Sequence, residues 1–176
     1  EVAQVIEDYK EALSEDGFMV QPHFGKSAEF MIITDAPNNP EEQEGMMSIG
    51  KASAPVIDAC MAHQLDRKTF YWTALLKRPK AGKMISTDEI RMYEPYLARE
   101  IAALRPPIIV LLGTTVVRHF FPDFKGKTSD VAGKIIYHKE LDANVVIGFN
   151  PGEIYYAPEK QDLMETVFAS VVDLLD

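Results

Sequence analysis

The chain has 176 residues, 47% of them hydrophobic and 26% charged, with a formal net charge of −9 at pH 7. That length and balance describe a globular domain large enough for a core. They exclude a membrane-spanning helix, because the longest apolar run, residues 106–113, falls far short of the roughly 18 residues a span needs.

Val2, Val5, Ile6, Tyr9 and Leu13 recur at helical spacing, and Glu15-Asp16-Gly17 ends that helix. Residues 18–28 read as irregular. Glu29–Thr34 is an apolar run that suits a buried parallel strand, and Asp35-Ala36-Pro37-Asn38-Asn39-Pro40 forms the loop at its carboxyl end. Residues 50–63 predict a helix. Thr69–Leu76 has the aromatic and β-branched content of a strand, followed by a basic loop over Lys77–Ser86. Thr87 caps a helix with acids in its first turn, which runs to about Leu104 and stops at Arg105-Pro106-Pro107. Ile108–Leu112 is a strand, and Gly113-Thr114-Thr115 opens a helix ending near Phe121. Lys134–His138 and Asn144–Phe149 predict two further strands. Asn150-Pro151-Gly152 is a turn, and residues 159–175 form the last helix, with Pro158 at its start.

Strands alternate with helices throughout. The expected class is α/β, with a mainly parallel sheet covered on both faces. In such sheets a ligand crevice lies outside the carboxyl ends of the strands. The loops at Asp35–Asn39, Lys77–Lys83 and Asn150–Tyr156 occupy those ends.

The single cysteine, Cys60, excludes an internal disulfide and any cysteine-only cluster within the chain. It fits a reducing, cytoplasmic setting. The start at Glu1 rather than Met suggests a single domain, residues 1–176, cut from a larger replication or repair protein. The acidic average field repels DNA, whose affinity for proteins rests largely on phosphate neutralisation. Lys77, Arg78, Lys80 and Lys83 form a local basic patch that reads either as a weak, salt-sensitive DNA contact or as a solvated loop.

Four blocks in order resemble uracil-DNA glycosylases of the iron–sulfur, family-four branch, across roughly residues 28–172. IITDAPNNPEEQEG is similar to the family's strand followed by Gly-Glu-Ala-Pro-Gly. GMMSIGKASAPVID is similar to its Gly-Arg-Pro-Phe-Val-Gly segment and the helix after it. The stretch from Thr73 to Phe120 resembles Thr-Asn-Val-Val-Lys-Cys-Arg-Pro, a helix carrying Cys-Arg-Pro-Tyr-Leu, and a strand ending Leu-Gly. FNPGEIYYAPEK is similar to His-Pro-Ser-Tyr-Leu-Leu with a following Asn-Pro-Glu-Lys. The resemblance implies a three-layer α/β/α sandwich around a mainly parallel four-stranded sheet.

It also implies a pocket whose chemistry has changed. A glycosylase takes a base out of the stack and reads its edge in a closed site. The family's carboxylate falls at Asp35, its stacking Phe at Ser48, its base-reading Asn at Ala74 and its His at Asn150. The cluster cysteines fall near Arg78 and at Tyr93, so no iron–sulfur cluster and no other cofactor is expected. By this correspondence Asp35 and Asn150 are the candidate catalytic residues. Ala36, Pro37, Ser48, Ala74 and Gly152 line the substrate position. Lys77, Arg78, Lys80, Lys83, Tyr155 and Tyr156 are the candidate DNA contacts.

Plainer readings stand beside these. Asp35 caps its loop, Asn150 forms a turn, the two tyrosines pack on the last helix, and Thr114 and Thr115 make an ordinary helix start. The expected function is a diverged, catalytically inactive glycosylase-like module in DNA replication or repair. Its expected partners are weakly bound or single-stranded DNA, a replication protein such as a DNA polymerase, or both. Bacteriophage polymerases with a glycosylase-like region are the analogy. The alternative is an active glycosylase of altered base specificity that uses Asp35 and Asn150. A nucleotide-binding α/β protein of another superfamily has no Gly-x-Gly-x-x-Gly or Walker sequence to support it.

Overall fold

A computed structural model describes residues 1–13, 20–37, 46–48, 51–78 and 84–176. Among these, the strands are β1 (His23–Phe24), β2 (Phe30–Thr34), β3 (Phe70–Ala74), β4 (Ile108–Leu112), β5 (Ile135–His138) and β6 (Ala143–Gly148). The helices are α1 (Val2–Leu13), α2 (Ala54–Ala62), α3 (Thr87–Leu104), α4 (Thr114–Phe120), α5 (Gly152–Tyr156) and α6 (Gln161–Leu175). No described helix is long and apolar enough to cross a membrane.

The sheet order is β1-β3-β2-β4-β6-β5. The four inner strands, β3, β2, β4 and β6, are mutually parallel, as expected. The sheet is wider than four strands, because an antiparallel strand closes each edge: β1 on β3, and β5 on β6. β1 lies in the stretch read as irregular. With two paired residues it is too short for periodicity to reveal. The inner strands read as continuous apolar runs because both their faces are covered. Phe30, Ile32, Phe70, Trp72, Val110 and Val146 pack with Val56 and Cys60 of α2 and with Met164 and Phe168 of α6. Met31, Ile33, Tyr71, Ile109 and Val145 pack with Val5 and Tyr9 of α1, Leu97 of α3 and Val117 of α4. These two cores make the three-layer α/β/α sandwich.

The N-cap of helix α3 lies one residue earlier than expected. Ser86, not Thr87, accepts from the Glu89 N–H at 3.1 Å, while the Glu89 carboxylate accepts from the Ser86 N–H at 3.2 Å. This reciprocal capping box satisfies two donors that the helix start leaves without partners. The final helix is preceded by a 3₁₀ turn over Pro158–Lys160.

Candidate functional site

Asp35 leaves the carboxyl end of β2 and meets the start of α4. Its Oδ1 accepts from the Val116 N–H at 2.7 Å, and the Thr115 N–H also reaches the carboxylate. Between them runs Gly113, at φ 145°. A Cβ at this position would stand 2.4 Å from Asp35 Oδ2, so the close approach demands glycine. Burial pushes the Asp35 carboxyl up to about 6, against the two backbone N–H groups that favour the charged form.

The linkage follows from that direction. A carboxyl raised from 3.8 to about 6 on folding binds more protons in the native state between those pH values. Its favourable contribution is complete below about pH 4 and is lost as pH rises through 6. The neutral isostere in Asp35→Asn keeps the acceptor for Val116. The variant is expected to be more stable than wild type by about 1–3 kcal/mol at pH 8, with the gap closing by pH 4. Urea melts of both proteins at the two pH values measure this. A difference independent of pH would refute the assignment.

Asn150 follows β6. Its Oδ1 accepts from the Gly152 N–H at 2.8 Å, an Asx turn that opens α5. β4 lies between β2 and β6, so Asp35 and Asn150 sit on strands whose axes are roughly 10 Å apart. Each directs a side-chain oxygen to a backbone N–H of its own scaffold.

The other expected positions are placed as follows. Ala74 ends β3 and is buried. Ser48 is buried at φ 71° and bonds Arg67 Nη1 at 2.9 Å. Pro37 is buried, and Ala36 packs against the α1/α3 core. Met47 is buried in the opposite core.

Lys77 is a correction. Expected on a DNA phosphate, it is 1% exposed and its Nζ sits 2.5 Å from Glu100 Oε1. It also donates to Thr73 Oγ1 and to the Ala74 carbonyl, both at 2.8 Å, and lies over the Tyr9 ring. Tyr71 donates to the other Glu100 oxygen. A phosphate cannot reach this ammonium. Burial lowers the Lys77 pKa, opposed by the Glu100 charge. Burial first, and then Glu100, pushes the Tyr71 hydroxyl up. Two sequence signals point to this cluster. Lys77 shares strand parity with Tyr71, Thr73 and Leu75, and Glu100 shares the helical phase of Tyr93, Leu97 and Ile101, all buried on α3.

Arg78 is part-buried, and Lys80 and Lys83 lie outside the described residues. Tyr155 and Tyr156 are 83% and 86% exposed, so they do not pack on the last helix. Their rings meet edge to face at 5.1 Å.

The residues present do not suit an iron–sulfur cluster. Its ligands must be thiolates. Tyr93 is buried in the α1/α3 core, whereas the single thiol, Cys60, is buried in the α2/α6 core across the sheet, where burial pushes its pKa up. No group of three or more His, Cys, Asp or Glu residues among the described residues converges as a metal site.

A cleft of about 990 Å³ lies elsewhere, lined in part by Arg105, His119, Phe121, His138 and Asp142. Arg105 precedes β4 and Asp142 precedes β6, so this cleft sits at the amino ends of the strands. Asp35 and Asn150 follow the carboxyl ends of β2 and β6, at the opposite end of the sheet.

The family model of the Uracil DNA glycosylase superfamily matches residues 22–173. The chain belongs to that superfamily. It is 28% identical over 156 residues to a type-4 uracil-DNA glycosylase of Archaeoglobus fulgidus, covering 85% of this chain and 78% of that one. The type-4 enzyme of Sulfurisphaera tokodaii gives 28% over 156 residues, covering 84% and 70%. A DNA polymerase III subunit alpha of Yersinia pestis is 27% identical over 158 residues, covering 89% of this chain. The chain spans only 13% of that polymerase subunit's length.

Proposed function

We propose that this domain is a uracil-DNA glycosylase fold that has lost base excision and serves DNA replication or repair as a binding module, with a DNA polymerase as its partner class. The observation that carries this reading is the double commitment of Asp35 and Asn150. One holds the start of α4 and the other the start of α5, so each acts as a scaffold element. Substitution removes the remaining machinery. Ser48 has no π-face, where base–aromatic stacking contributes roughly 1–3 kcal/mol. Ala74 neither donates nor accepts at its side chain. Loss of one electrostatic stabiliser costs about 10²–10³ in rate, and loss of a general acid or base about 10²–10⁴. The stretch similar to this chain within a protein named for DNA polymerase III supports the partner class. The acidic net charge supports a protein partner over duplex DNA, with at most weak or single-stranded binding.

The test is release of uracil, hypoxanthine and xanthine from single- and double-stranded oligonucleotides. No release above buffer is the expected result. Release that disappears in Asp35→Asn would establish the alternative, a glycosylase of altered specificity. Co-purification with the replicative polymerase of the same source checks the partner.

A further inference from the structure

Helix α5 is short, and its two tyrosines project from the domain. Tyr155 and Tyr156 are the most exposed aromatic side chains among the described residues, at 83% and 86%. Their neighbour Ile154 is buried and anchors the helix. The surroundings are acidic: residues 150–165 hold Glu153, Glu159, Asp162 and Glu165 against a single lysine, Lys160. Glu153 neutralises that lysine at 2.8 Å. Hydrogen bonding to Glu153 comes first in raising the Lys160 pKa, and the charges of Glu159 and Asp130 add to it, as a negative local field requires.

Two exposed rings in a negative field do not suit a strand of phosphates. A nucleic acid stacking on these rings would bring its charge toward a segment that carries Glu153, Glu159, Asp162 and Glu165 against Lys160, itself paired with Glu153. A cationic side chain meets the opposite conditions. Arginine and lysine sit favourably over tyrosine faces and against carboxylates. Tyr is also a residue type that concentrates binding energy at protein interfaces.

We propose that Tyr155 and Tyr156 are the docking patch of this domain for an arginine-bearing protein surface, with the partner's cations over the rings and against the acidic rim. The proposal rests on the reading of the domain as a protein-binding module and names the face it uses.

The test compares a fluorescent Arg-Gly repeat peptide with a fluorescent single-stranded oligonucleotide of mixed sequence, in the same salt series. Wild type is expected to bind the peptide and not the oligonucleotide. The double variant Tyr155→Ala/Tyr156→Ala changes no charge at neutral pH and removes no core contact, and it should weaken peptide binding about five- to tenfold. Tyr155→Phe/Tyr156→Phe keeps both rings and should retain it. Unchanged peptide affinity in the alanine variant overturns the proposal, because net acidity alone would then explain the binding. Oligonucleotide binding that the alanine variant abolishes overturns it in favour of a DNA wedge. Co-purification with the polymerase separates the two readings. A polymerase that binds wild type and the alanine variant equally removes the patch and leaves the module. A polymerase that binds neither, with the expected peptide result, removes the polymerase partnership and leaves the patch.

Discussion

Glu100→Ala will lower the stability of the fold by about 3–5 kcal/mol, the cost of leaving one member of a buried ion pair without its partner. The Lys77 ammonium lies among α1, β3 and α3 with Glu100 as its counter-charge. Removing the carboxylate leaves a fully buried cation that must either shed its proton or draw in water. Tyr71 loses its acceptor at the same time. Chemical denaturation at neutral pH measures the effect. The control is the triple variant Tyr71→Phe/Lys77→Met/Glu100→Leu, which replaces the ion pair and the Tyr71 hydroxyl with apolar groups of similar size. It should return to within about 1–2 kcal/mol of wild type or exceed it, since apolar replacements of buried ion pairs are often neutral or stabilising. A Glu100→Ala loss below about 1 kcal/mol would mean that the cluster is hydrated and does not hold the three elements together.

Gly113→Ala will cost about 2–4 kcal/mol, because it meets two obstacles at once. The backbone is at φ 145°, where an L side chain is strained, and the new methyl would fall within 2.5 Å of three atoms of the Asp35 carboxyl group. Asp35 cannot withdraw without giving up the Val116 and Thr115 N–H groups. The penalty should shrink in a Gly113→Ala/Asp35→Ala background, where the collision is gone and the backbone strain remains. Thermal or urea unfolding of the single and double variants provides the comparison. Equal penalties in the two backgrounds would show that the carboxylate is not what makes glycine necessary.

The inner strands were legible because each is an apolar run bounded by turn residues. Phe30–Thr34 and Ile108–Leu112 are buried on both faces and contain almost nothing else. β1 was not legible. Its pairing with β3 is a tertiary event, and Gly25 lets the chain pass so close that a Cβ would stand 2.3 Å from the Phe70 carbonyl. Among the site candidates, the turn at Asn150 was visible as a plain reading of local chemistry, whereas Asp35, read as a cap of its own loop, accepts instead from the start of α4. Lys77 was misread because KRPKAGK has the composition of a solvated basic loop, and composition does not register strand parity.

The sequence by itself determined the layered α/β class, the parallel inner sheet, and, through its single cysteine, the lack of thiolates for a cluster within this chain. Those properties depend on residue type and short-range order. Tertiary structure alone decided which charges are buried and which face solvent. It drew Lys77 and Glu100, 23 residues apart, into one buried cluster, and it set Asp35 on a helix 81 residues away. It also left Tyr155 and Tyr156 standing in water. The physical reason is that solvation depends on what packs over a side chain, and that cover comes from distant parts of the chain.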